Sequence, residues 1–96
     1  MPRLNRNKIY VFTAETTNKR IFRENSHRKA FLILNNGSNI VEFLDNATGA
    51  YGSGFPVSPT NTVDDDHFNP QDALYVIATT GDTELRVWEV LSEREE

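Results

Sequence analysis

The 96 residues contain no cysteine, so neither a disulfide nor a thiolate zinc site stabilises this chain. Histidine occurs only twice, and a metal enzyme built on several histidines is therefore not expected. Long apolar runs are also missing, since polar residues 5–8 interrupt the N-terminus and no later stretch approaches a membrane span. We expect a soluble domain, made without a signal peptide, that depends on packing and hydrogen bonds.

The formal net charge of −4 conceals an uneven distribution along the chain. Residues 1–29 carry eight cations and two acids, whereas residues 30–96 carry two cations and twelve acids. The two ends of the chain could pair within one fold and leave an acidic tail, or they could favour contacts between copies or with an acidic neighbour. The charge pattern leaves both readings open.

Short apolar runs separated by turn-forming residues recur about every ten residues, which is typical of an all-β protein. Strands are predicted at 9–16, 19–24, 29–35, 39–45, 73–79 and 83–91, with short additions at 55–57 and 62–68. Seven or eight antiparallel strands suit a sandwich, a jelly roll or a small barrel. We expect one β domain at 9–91, a basic arm at 1–8 and an acidic tail at 92–96.

Three turn signals predict hairpins between consecutive strands. Asn36-Gly37 is the strongest, because a type I′ turn needs positive φ at both central residues. Thr80-Gly81-Asp82 predicts a second hairpin with Gly81 in the left-handed conformation, and Thr17-Asn18 predicts a third. Within the last strand Val90 breaks the alternation, which indicates a bulge or a strand covered on both faces.

Strand alternation also predicts the core. The expected core residues are Val11, Ile21, Phe31, Ile33, Val41, Phe43, Leu74, Val76, Leu85 and Val87.

The run from Asp64 to His67 is the obvious metal candidate, because carboxylates and imidazole are common ligands. Adjacent residues of a strand point to opposite faces, however, and the spacing does not match a calcium loop. We therefore predict no metal site and no cofactor. The other histidine, His27, lies among polar residues and has no nucleophile motif beside it, so no enzymatic activity is expected.

Two other function classes are disfavoured. The stretch GAYGSG, at 49–54, lacks the lysine and the strand-to-helix context of a phosphate-binding loop. The basic first third with interleaved aromatics could suit nucleic acid, but the pI of about 5.1 and the absence of an RRM or cold-shock motif argue against it. We expect neither a nucleic-acid nor a membrane partner.

Three segments between residues 28 and 89, "RKAFLILNNGSNIVEF", "GSGFPVSP" and "ALYVIATTGDTELRVWE", resemble small proteins encoded among the virion genes of tailed bacteriophages. The usual glycine after the Gly-Phe-Pro step is absent here. The resemblance implies a β-sandwich or jelly-roll protein of the virion, either a capsid decoration (cement) protein or a head-fibre-like protein. Its partner would be the major capsid protein or another virion protein, with homo-oligomerisation expected. The alternative is a receptor- or carbohydrate-binding module of a tail or adhesin.

Within that interpretation, residues 45–68 form a long connection shaped for contact, and the basic arm docks on a partner. The predicted partner-binding residues are Arg3, Arg6, Lys8, Tyr51, Phe55, Pro56 and Phe68.

Overall fold

A computed structural model describes residues 5–92, without the side chain of Asn5, and confirms the all-β prediction. The eight strands are β1 (Asn5–Ala14), β2 (Lys19–Phe22), β3 (Arg28–Asn35), β4 (Val41–Leu44), β5 (Phe55–Val57), β6 (Thr62–Asp64), β7 (Leu74–Ala78) and β8 (Thr83–Ser92). No helix capable of crossing a membrane occurs within this part of the chain.

The strands form two antiparallel four-stranded sheets with orders β1-β8-β3-β6 and β2-β7-β4-β5. This is the strand order of a jelly roll, in which two sheets pack face to face around one core. Alternate residues of each strand point into the core, and large side chains such as Phe43, Ile33 and Leu85 are fully buried there.

The three hairpin predictions are wrong. β1 and β2, β3 and β4, and β7 and β8 each lie in different sheets, so the turns between them cross from one sheet to the other. Neither Gly37 nor Gly81 has a positive φ; among the described glycines only Gly52 does. β4 and β5 are the one consecutive pair that shares a ladder, with Val41 opposite Val57, and residues 45–54 connect them.

The turns after β3 and β7 pack against each other. The Asn36 amide donates to the Glu84 carbonyl at 3.0 Å, and the Thr79 amide donates to the Ile40 carbonyl at 3.1 Å. Each of the two segments therefore satisfies a backbone group of the other across the end of the sandwich.

The core prediction is confirmed at nine of its ten positions, and Val11 is the exception at 57% exposed. β1 points Tyr10 and Phe12 towards the core instead, so its alternation is shifted by one residue from the prediction. β1 also begins at Asn5, which places residues 5–8 in the sheet opposite residues 89–92 of β8. This part of the expected arm is a strand, while residues 1–4 and 93–96 lie outside the described residues.

β8 itself is regular where the sequence indicated an irregularity at Val90. Its inward-facing side chains include Leu85, Val87 and Glu89, which are all buried, and Val90 lies on the outer face. The register shift is on the neighbouring strand, between Arg28 and Ala30 of β3. A bulge there lets Arg28 point inward beside Glu89.

Candidate functional site

The outer face of the β1-β8-β3-β6 sheet carries an exposed apolar row. Ile9 on β1 is opposite Trp88 on β8, and Trp88 is opposite Leu32 on β3. These three side chains, which we call the outer row, are 65%, 44% and 37% exposed. Val11 and Val90 adjoin the row on the same face. Apolar side chains gathered on a solvent-facing sheet are typical of an interaction surface.

A shallow groove lies beside Trp88 and Leu32, on the β6 side of the outer row. Trp88, Leu32 and Ala30 line its apolar side, and Asp64 and Asp65 line its polar side. A tryptophan beside a groove with a charged rim is an arrangement that protein interfaces favour.

Sequence reasoning missed the outer row, although a signal for it was present. Trp88 alternates with Val87, and Leu32 alternates with Phe31 and Ile33, so both were expected on the face opposite the core. A strand that is apolar on both faces is covered on both faces or exposes an apolar surface.

The aromatic residues predicted to bind a partner lie near β5, in the other sheet. Tyr51 is in the 45–54 connection and is 45% exposed, and Phe55 on β5 is 38% exposed. Phe55 contacts the His67 ring at a centroid distance of 4.8 Å and meets Phe68 edge-on at 6.1 Å. Phe68 also packs against the core, so it contributes to both the core and this cluster.

The 45–54 connection is anchored by a buried carboxylate. Glu42 on β4 is only 6% exposed and accepts hydrogen bonds from the Gly52 and Gly54 amides at 2.8 and 3.0 Å. At the opposite side of the connection, the Asn18 side chain donates to the Gly49 carbonyl at 2.9 Å. These bonds present Tyr51 on a structured connection.

The basic residues predicted to bind a partner are not brought together with the aromatic ones. Arg6 and Lys8 are exposed on β1, in the sheet that does not contain β5, and Arg3 lies outside the described residues. The Lys8 ammonium lies 5.6 Å from the centre of the Tyr10 ring. Pro56 is exposed on β5 beside Phe55. The sequence-predicted site therefore divides between two sheets.

The acidic run from Asp64 to His67 forms a turn that is held by its own hydrogen bonds. The Asp64 carboxylate accepts from the Asp66 amide at 3.0 Å and contacts His67 Nδ1 at 3.1 Å. Asp65 turns back to accept from the Phe31 amide at 3.2 Å. Within residues 5–92, no group of three or more histidine, aspartate or glutamate side chains is placed to hold a metal ion.

A buried polar network at one end of the sandwich was not foreseen from the sequence. Arg28 Nε donates to Glu89 Oε1 at 2.9 Å, and its two terminal nitrogens donate to the carbonyls of Pro70 and Arg23. The Tyr10 hydroxyl donates to the other oxygen of Glu89. Burial raises the pKa of Tyr10 above its usual value of 10.0, and the hydrogen bond to Glu89 raises it further. The guanidinium also stacks over Phe22, with Cζ of Arg28 4.1 Å from the centre of the ring. The polar atoms of Arg28, Glu89 and Tyr10 in this network therefore all have partners.

No protein-family model matches this sequence, and a comparison with curated proteins finds no significant match. Among solved structures, the chain is similar to a protein of Bacillus endospore appendages, which are described as a family of disulfide-linked pili. The TM-score is 0.55 at 14% sequence identity, and the alignment covers 96% of this chain and 89% of the other. This likeness extends over nearly the whole domain and concerns its fold.

Proposed function

We propose that this protein is a non-enzymatic structural subunit that works through protein-protein contacts in a multi-copy assembly. The observation that carries the proposal is the outer row, where Trp88 lies exposed between Ile9 and Leu32 on a four-stranded sheet. Tryptophan is the residue most enriched among the side chains that dominate binding energy at interfaces. A pre-formed sheet face also loses little conformational entropy on binding.

The specific assembly we propose is the virion of a tailed phage, with the protein decorating or cementing the capsid surface. The sequence resemblance supports this setting, and the jelly-roll strand order is one that capsid proteins use. The Bacillus appendage protein shows that a similar fold serves in another repetitive assembly. That assembly is named for its disulfides, whereas these 96 residues contain no cysteine, so we propose that this chain assembles through noncovalent contacts. Noncovalent contacts that are individually weak gain strength through repetition over a lattice.

The second candidate function is a receptor- or carbohydrate-binding module of a tail or adhesin. It is favoured by the exposed ring of Tyr51 and by a pocket that combines Phe55 with the polar residues Asp45, Asn46 and Ser53. Aromatic rings beside polar groups are common in ligand sites.

Two variants separate these functions because their side chains are almost equally exposed, at 44% for Trp88 and 45% for Tyr51. The assay measures binding to particles of the encoding phage from which this protein has been stripped. We expect Trp88→Ala to weaken this binding by about 2 kcal/mol, and Tyr51→Ala to leave it unchanged. The reverse result, together with Tyr51-dependent binding on a glycan array, would favour the second function.

Copy number provides an independent measurement. Quantitative mass spectrometry of purified virions should find this protein at a copy number comparable to that of the major capsid protein. A few copies associated with the tail would support the receptor-binding alternative. Its absence from the particles would contradict both the capsid role and the tail role.

A further inference from the structure

The edge of β1 differs from the other three sheet edges. β2, β5 and β6 are three or four residues long, and β1 has ten residues. The short edges carry features that discourage strand addition: a register shift in β2, Pro56 in β5 and Asp64 in β6. Within residues 5–92, no strand pairs with the second side of β1.

The two halves of the β1 edge also differ in protection. Residues 5–8 include Arg6 and Lys8, which are the kind of charged side chains that guard an open edge. Residues 9–14, with the sequence IYVFTA, contain no charge, and Ile9 and Val11 are the two most exposed large apolar side chains described. An edge of this length and composition is a template for another strand.

We infer that β1 pairs with β1 of a second copy, antiparallel and about a two-fold axis near Val11. The inference names one contact within the proposed assembly role and rests on that role. Length supports this occupant, because the other edges of a second copy offer at most four residues, whereas its β1 offers ten. Isologous two-fold contacts are also the commonest way in which identical subunits associate.

Charge supports the antiparallel direction. In such a pair, the basic end of one β1 lies beside Ala14 and Glu15 of the other copy, and a parallel pair would place Lys8 beside Lys8. Like charges directly opposite on neighbouring strands are destabilising.

The proposed β1–β1 pairing brings the outer rows of the two copies onto the same face. A two-fold axis perpendicular to the sheet keeps the outer faces of both copies on the same side. The two four-stranded sheets then become one eight-stranded sheet, with Val11 of each copy adjacent to the other at the junction. The two outer rows join into one continuous apolar surface that can contact a larger partner.

Because the chain has no cysteine, single cysteines give a clean test. Val11→Cys should form a disulfide-linked dimer on mild oxidation, since residues opposite each other across an antiparallel pair have Cα atoms about 4.5–5.5 Å apart, within the range of about 4.4–6.8 Å that a disulfide spans. Thr62→Cys is the matched control, exposed on the opposite edge of the same sheet. It should remain monomeric on the same gel.

A second variant measures the noncovalent contact. Val11→Lys places two lysines opposite each other, and because Val11 is exposed the fold should persist. Sedimentation should show a dimer for the original chain and a dissociation constant about tenfold higher or more for Val11→Lys, with unchanged circular dichroism. A monomeric original chain, a trimer or larger ring, or equal crosslinking of Thr62→Cys would overturn the inference. If the protein still occupied stripped particles through Trp88 in that case, the proposed function would stand without this contact.

Discussion

Arg28 and Glu89 form a buried ion pair between residues 61 positions apart in the chain, with Nε and Oε1 separated by 2.9 Å. Both side chains are almost inaccessible, at 4% and 6% exposure. The pair joins β3 to β8, and the additional bonds from Arg28 to two backbone carbonyls join it to the segments around Arg23 and Pro70. Loss of either charge would leave the other buried without compensation.

Glu89→Gln should therefore lower the free energy of unfolding by about 3 kcal/mol, because it leaves the Arg28 guanidinium buried without a counter-charge. Urea denaturation measures the effect. Glu15→Gln is the control, since Glu15 is 46% exposed and pairs with Lys19 at 3.1 Å. That change should cost no more than about 1 kcal/mol. Equal effects for the two variants would show that the buried pair contributes little.

Alkaline pH should weaken the fold through Tyr10. The pKa of Tyr10 is raised in the folded state above 10.0, so the unfolded chain loses this proton first. Its contribution to stability is fully present below about pH 10 and is lost as pH rises further, by at most about 1.4 kcal/mol per unit and less where solvent screens the hydroxyl. Urea unfolding of the original chain and of Tyr10→Phe from pH 9 to 11 tests this. Identical pH slopes would contradict it.

Gly37→Ala should be destabilising because the added methyl group would clash with a neighbouring side chain, and Gly81→Ala should be almost neutral because there is room for it. A Cβ atom on Gly37 would lie 2.6 Å from Cγ2 of the buried Thr83, whereas one on Gly81 would meet nothing closer than 3.8 Å. We expect a loss of about 1–3 kcal/mol for the first.

Thr83→Ser removes the obstructing methyl group and retains the hydroxyl that donates to the Gly81 carbonyl. Combined with Gly37→Ala, it should restore part of the lost stability, since the Glu84 amide at 3.2 Å still crowds the site. Additive losses in thermal melting of the double variant would mean that the two side chains do not collide.

Glu42→Ala should loosen the 45–54 connection, because the Gly52 and Gly54 amides lose their acceptor. We expect a cost of about 1–3 kcal/mol and faster hydrogen exchange at these two amides. Glu42→Gln retains an oxygen acceptor and should have a smaller effect. Unchanged exchange in Glu42→Ala would show that the carboxylate does not hold the connection.

Chelation should not change the melting temperature, because Asp64 and Asp65 are engaged in separate backbone hydrogen bonds. Differential scanning fluorimetry with EDTA, and then with added calcium or zinc, is the measurement. A fall on chelation that one of these ions reverses would identify a metal site here.

Much of the β architecture was predictable from local pattern. Alternation placed Phe31, Ile33, Leu85 and Val87 in the core, because a side chain buried from a strand leaves a period of two in the sequence. Tyr51 and Phe55 are exposed, and their role in binding a partner stays a prediction. The exposure of the outer row was not predicted, because a strand that is apolar on both faces can equally be covered on both faces by other layers.

Strand pairing, in contrast, required the tertiary structure. Turn residues such as Asn36 and Gly37 establish that the chain reverses, but a reversal can lead to a neighbour in the same sheet or across the core to the other sheet. Only packing of the two sheets decides between these outcomes, because both satisfy the local backbone. The inward direction of Arg28 depends similarly on a bulge in β3, where β3 pairs with β8. The sequence by itself determined strands, turns and most of the core, and the contacts between distant segments determined which strands pair and which apolar face remains exposed.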